Sequence, residues 1–196
     1  METNLRLLNA AQQMNQAALI KIFELYASAL YNYALRLCGD SLLADHIVGD
    51  VFVKLLEQFA SGKGPTSNLR SYLYETAYHI LIDEARSSSR RAPLEVVASI
   101  KSDAGSGSPG VEDKLMLEMM LGAIQHNLNA DQRHVIILRF LEGFSLRETA
   151  AILGKDVSHV KVIQTRGLAK LRHIFAANEI LTTASLPRSV RNCPMP

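Results

Sequence analysis

The stretch Phe144–Arg172, FSLRETAAILGKDVSHVKVIQTRGLAKLR, decides how this chain is read. Ser145 and Glu148 stand three apart, directly ahead of an apolar run. That spacing is a capping box, in which the Ser oxygen accepts from the third helical amide and the Glu reaches back to the cap. Leu146, Thr149, Ala150 and Leu153 then share one helical face. Gly154 tolerates the positive φ that ends a helix, and Asp156 can cap a second helix from Val157. Ala150, Gly154, Val160 and Ile163 have helix-turn-helix spacing: a small residue for close approach, a glycine turn and two apolar seats. The second helix carries Lys161, Arg166, Lys170 and Arg172, and meets no acidic residue before Glu179. A basic helix behind a tight turn suits a DNA major groove. A packed hairpin in an ordinary all-α domain is the bland alternative, and it is seldom so one-sided in charge.

Outward from this motif, helical periodicity covers most of the chain and no alternating strand pattern emerges. Upstream helices are expected at Leu5–Met14, Leu19–Cys38, from Asp40 or Ser41 to about Phe59, and from Leu69 to about Ser87. Between Ser87 and Gly110 the composition turns to Ser, Gly, Pro and charge, with Val96, Val97 and Ile100 as a small apolar knot. This reads as a flexible linker. Further helices follow from Val111 to about His126 and from Asp131 to Leu141. The expected fold is all-α: two small helical domains joined by a flexible linker. Residues 1–18 form an N-terminal extension, 19–91 a first bundle and 92–110 the linker. Residues 111–176 form the helix-turn-helix domain and 177–196 a loosely ordered tail.

With 196 residues, 48% hydrophobic, the chain can build two real cores. The net charge of +2 says little about partners, whereas its distribution says more. Cys38 and Cys193 have no metal or redox spacing. Cys38 is expected as a buried thiol, and this usage suits a reducing cytoplasm. No secretory signal or membrane-length apolar run is read, so no membrane insertion is expected. Gly62–Pro65 lacks the ending of a phosphate loop, and Glu75 with His79 is an isolated pair. No catalytic constellation, metal site or cofactor site is read.

In the helix from Leu69, arginines and aromatics interleave: Arg70, Tyr72, Tyr74, Tyr78, His79, Arg86, Arg90 and Arg91. Rings that stack on unpaired bases, beside guanidinium groups that hold phosphates, suit single-stranded DNA. Half-buried core tyrosines are the equally weighted alternative. The preceding helix shows Asp45, Asp50 and Glu57 against Lys54, an acidic face fit for a basic protein partner. Such a pattern more often marks a solvated face.

Three stretches then carry a resemblance: Leu42–Phe59 (LLADHIVGDVFVKLLEQF), Asn68–Arg91 (NLRSYLYETAYHILIDEARSSSRR) and Asn129–Arg172. Together the chain resembles a bacterial RNA polymerase sigma factor of the extracytoplasmic-function (ECF) group of the sigma-70 family. The resemblance covers about Leu19–Phe175. It implies a region 2 bundle and a region 4 helix-turn-helix domain, with the polymerase doing the chemistry.

The implied partners are core RNA polymerase and promoter DNA, and commonly an inhibitory anti-sigma protein. Asp45, Asp50 and Phe52 would face the polymerase clamp. Arg70, Tyr72, Tyr78, His79, Asp83, Arg86, Arg90 and Arg91 would serve the −10 element. Arg147, Ser158, His159, Lys161, Val162, Thr165 and Arg166 would lie at the −35 element, with Lys170 and Arg172 on phosphates. Departures from the family pattern are Tyr72 for the usual Trp, His79 for a frequent Asn, and Gly49 for the Gln before Asp50. Ile163 and Gln164 exchange the usual basic and apolar order. The rival class is a helix-turn-helix regulator with a helical sensor or dimerisation domain.

Overall fold

The computed structural model describes residues 2–88 and 111–184, and every element among them is helical. Arg90, Arg91, the linker 92–110, Cys193 and the end of the tail lie outside the described residues. Helix α1 spans Glu2–Gln12, α2 Gln16–Cys38, α3 Ser41–Ala60 and α4 Leu69–Ser88. In the second half α5 spans Val111–Asn127, α6 Ala130–Ile136, α7 Leu146–Ile152 and α8 Val157–Ala184.

Local chemistry sets most boundaries. Asn15 caps α2 by accepting from the Ala18 amide at 3.0 Å, so the helix starts before the expected Leu19. Gly39, at φ +72°, ends it by donating its amide to the Leu35 carbonyl. Asp40 then accepts from the amides of Leu42 and Leu43 to start α3. The capping box of α7 is present in both directions, Glu148 amide to Ser145 Oγ at 3.2 Å and Ser145 amide to Glu148 carboxylate at 2.8 Å. Hydrogen bonding of the Ser145 hydroxyl, and then of its amide, to the charged carboxylate holds the Glu148 carboxyl below its ordinary pKa.

A second capping box, Asn129 with Gln132, starts α6 earlier than the Asp131 expected from the pattern. Its far end also differs from expectation. From Ile137 to Leu141 the helix widens into a π turn, which buries Ile137 and Leu138 and delivers Glu142.

In the first half α2, α3 and α4 pack together, and α1 lies against α2 and α3. Leu8 and Ala11 are buried, so the expected N-terminal extension is part of this bundle's core. Cys38 is only half-buried, with its thiol bonded to the Asp40 carbonyl at 3.3 Å. In the second half α8 packs on α5, α6 and α7. Gly167 faces Ile136 so closely that an added Cβ would lie 3.3 Å from it, which accounts for a glycine inside α8. The two halves also touch: α4 meets α7, α2 meets α5, and one continuous apolar core runs through both.

Candidate nucleic-acid interface

Helix α8 sorts its side chains cleanly. Val160, Ile163, Gly167 and Leu171 face inward, while Ser158, His159, Lys161, Val162, Thr165, Arg166, Lys170 and Arg172 are exposed. The inward position of Ile163 explains how it takes the packing role at its site. Gln164 is half-buried and accepts from Arg139 Nε at 3.0 Å, which ties it to the π turn and away from any ligand. Thr165 is exposed and donates its hydroxyl to the Lys161 carbonyl at 2.9 Å. Gly154 has φ +60°, and Lys155 beside it pairs with Asp131 of α6 at 3.2 Å, which fixes the turn on the body of the domain. Arg147 is exposed on α7. The result is a rigid helix that shows cations, a hydroxyl and a methyl group along one outer face, the groups that contact phosphates and base edges.

Helix α3 exposes a broad arc. At about 100° per residue, Phe52, Asp45 and Leu56 fall on one flank and Asp50 and Glu57 on the other, with Gly49 and Val53 between. On the apolar flank Phe52 packs against Phe23 of α2 with ring centroids 4.8 Å apart. A shallow groove there is lined by Leu19, Ile20, Ile22, Leu55 and Leu56. Asp45, Asp50 and Glu84 border a second groove between α3 and α4. This surface combines exposed apolar area with carboxylates, a composition suited to a protein partner.

Helix α4 is divided. Tyr72 is half-exposed, and His79 and Asp83 are exposed on the same side. Asp83 also pairs with Arg86 at 3.6 Å, both well exposed. The opposite flank is covered by the helix-turn-helix half. There Tyr78 is buried and meets the His134 ring edge-on at 4.9 Å. Arg70 lies over the Phe144 ring at 4.0 Å and donates to the Glu142 carbonyl. Tyr74, fully buried, meets Tyr33 at a tilt with centroids 5.1 Å apart and Phe144 edge-on at 4.8 Å. The sequence-predicted −10 set therefore splits: Tyr72, His79, Asp83 and Arg86 stay outside, and Arg70 and Tyr78 are engaged across the molecule.

Glu142 is the centre of this contact, and nothing in the local sequence pattern marks it. Its carboxylate accepts from Tyr74 Oη at 2.6 Å and from Arg36 at 2.9 Å, with its own side chain 7% exposed. Burial, then the nearby Glu142 charge, raises the Tyr74 phenol well above its ordinary pKa, so it remains a donor. Tyr33 Oη and His134 Nδ1 share a hydrogen bond at 3.0 Å. Burial, with Arg133 nearby, lowers the His134 pKa to about 4, so the imidazole is neutral at physiological pH. Among the described residues no group of His, Cys, Asp and Glu could hold a metal ion, and no helix is long and apolar enough to cross a membrane.

The molecule is an all-α scaffold with a cationic outer face on α8 and an exposed face of apolar groups and carboxylates on α3. Residues 22–91 match the family model for sigma-70 region 2, and residues 126–173 match the one for sigma-70 region 4. The chain belongs to the sigma-70 family, in its ECF group. It is similar to the ECF RNA polymerase sigma factor BldN of Streptomyces coelicolor, 25% identical over 87% of this chain and 65% of that one. The chain thus spans about two thirds of BldN.

It is also similar to SigX of Bacillus subtilis, 28% identical over 77% of this chain and 80% of that one. Among solved structures it is similar to the sigma factor RpoE from Bartonella quintana, in complex with the anti-sigma factor NepR. There the TM-score is 0.65 and identity 24%, over 80% of this chain and 95% of that one. CnrH, solved with the cytosolic domain of CnrY, gives a TM-score of 0.67 at 22% identity, over 88% and 97%. These structural likenesses bear on the fold alone.

Proposed function

We propose that this chain is an initiation factor that binds bacterial core RNA polymerase and directs it to promoters by reading −35 and −10 elements. The observation that carries this is the outer face of α8. Its candidate base- and phosphate-contacting residues are all exposed, whereas Val160, Ile163, Gly167 and Leu171 among them are buried. Residues 111–176 act as the −35 domain. His159, Lys161, Val162, Thr165 and Arg166 meet bases, while Lys170 and Arg172 meet phosphates, with Arg147 and Ser158 at the edges. Residues 19–91 act as the clamp-binding and −10 domain. Asp45, Asp50 and Phe52 face the polymerase, and Tyr72 and His79 take unpaired bases. Asp83, Arg86, Arg90 and Arg91 flank them, and Arg70 and Tyr78 join once they are free of the other half.

Polymerization chemistry belongs to the polymerase. This chain supplies binding and positioning only, in the cytoplasm, without cofactor or metal. An anti-sigma protein is the natural antagonist for such a factor, as NepR is named for RpoE. The match of residues 22–91 to sigma region 2 stands against the regulator reading, which needs a sensor domain there.

Run-off transcription with core polymerase and a promoter library tests the assignment. The expected result is sequence-specific transcripts that need this chain. Failure to bind core and to yield transcripts would return the chain to the regulator class.

A further inference from the structure

Helix α8 carries its cations along the two sides of its outer face and none along the middle. At about 100° per residue, Ser158, Val162, Thr165 and Ala169 fall within about 40° of the line opposite the buried row. All four are exposed, and none carries a charge or a side-chain amide. Lys161 and Arg172 stand on one side of this strip, Arg166 and Lys170 on the other. At its centre Lys161, Val162, Thr165 and Arg166 line a shallow, largely apolar hollow. Val162 is 45% exposed there, whereas Val160 and Ile163 on either side of it in sequence are buried. The Thr165 hydroxyl hydrogen is committed to the Lys161 carbonyl, so that side chain has no donor left for a base.

The chemistry of the major groove gives such a strip one natural ligand. Purine N7, the O6 of guanine, the O4 of thymine and the exocyclic amino groups all hydrogen-bond to water. A valine laid over them displaces that water and returns no hydrogen bond. The 5-methyl group of thymine is the apolar feature of the groove floor, and its contact with a valine takes apolar surface of both partners out of water. From Ser158 to Thr165 the helix rises about 10 Å, roughly three base-pair steps, so the strip covers a short run of bases.

We propose that Val162, with Thr165 beside it, reads a thymine 5-methyl group in the −35 element, which makes Val162 a specificity-determining residue of this chain. This deepens the proposed function and rests on its placement of α8 in the major groove. Lys161 and Arg166 contact base edges on the two sides of the methyl site, and Lys170 and Arg172 hold the phosphates beyond them.

The test uses the full chain bound to core polymerase, on the promoter that the run-off library returns. Each thymine of the −35 element, on either strand, is replaced singly by deoxyuridine. That change removes the 5-methyl group and keeps the base pair. Competition binding then compares each duplex with its parent, for the wild-type chain and for Val162→Ala. Circular dichroism establishes that the variant keeps its helix content.

Expected are one or two thymines at which deoxyuridine weakens wild-type binding about fourfold, the worth of one buried methyl group. The Val162→Ala holoenzyme should bind the thymine and deoxyuridine duplexes within about twofold of each other. A −35 element without thymine on either strand, or a promoter bound equally well with every thymine replaced, would overturn the inference alone. A deoxyuridine effect undiminished in Val162→Ala would remove Val162 as the reader. Absence of polymerase-dependent promoter binding by the wild-type chain would overturn the proposed function and the inference together.

Discussion

Helices α8 and α4 are both proposed to read DNA, yet they meet the rest of the molecule differently. Helix α8 uses one side for packing, so its outer face follows from periodicity alone. Helix α4 packs on two sides: Leu73, Ala77 and Ile80 belong to its own bundle, whereas Tyr74 and Tyr78 belong to the contact with the other half. A residue type that suits both base stacking and burial, such as tyrosine, cannot be assigned from one helix when two surfaces compete for it.

The sharpest way to break this comparison is to truncate the two tyrosines separately. Tyr78→Ala should lower stability by about 3–5 kcal/mol, the usual cost of losing a buried aromatic ring, because Tyr78 is 9% exposed. Tyr72→Ala should cost much less in stability and instead impair promoter opening. Equal denaturant midpoints for the two variants would erase the distinction between the flanks.

Acidification probes the same contact. The folded His134 pKa of about 4 lies below the ordinary 6.5. Between these values the unfolded chain binds a proton that the folded chain does not. Stability is therefore full above pH 6.5 and falls as pH drops toward 4, by on the order of 3 kcal/mol in all. Burial dominates the shift, Arg133 and Lys155 add to it and Asp131 opposes it. Chemical denaturation at pH 7 and pH 5 should reveal the loss, and His134→Gln should remove most of it. A His134→Gln profile identical to wild type would exclude this histidine as the cause.

On α8, Lys161→Ala and Arg166→Ala should each cost roughly 1–3 kcal/mol in −35 duplex affinity of the holoenzyme, with little change in stability. Undiminished dependence on the −35 sequence in the double variant would misplace the reading face. The smallest effect is expected at Gly49, where an added Cβ meets nothing within 4 Å. Gly49→Ala should raise thermal stability by up to about 1 kcal/mol. A decrease would show that the open space at Gly49 is needed.

Much of the fold was legible because its signals are short in range. The Ser145–Glu148 box, the Gly154 turn and the inward positions Val160 and Ile163 each involve residues within a turn or two of one another. Some local signals were still read incompletely. Asn15 and Asn129 set helix starts that apolar periodicity put three residues and one residue too late, because capping acts ahead of the first apolar position. The π turn left no mark, since a widened turn keeps the same apolar residues inward and changes only where the next residue points.

The sequence by itself determined an all-α chain, a helix-turn-helix with a basic outer face, and an α3 with an acidic exposed arc. These follow from periodicity, capping and charge spacing along single helices. The tertiary structure alone decided that the two halves close on each other, that Arg70 and Tyr78 are engaged there, and that Glu142 is the pivot. Its partners Arg36, Arg70 and Tyr74 lie 106, 72 and 68 residues away. Contacts at that separation come from packing whole helices against one another, and a carboxylate surrounded in sequence by Leu141 and Gly143 carries no sign of which distant donors will claim it.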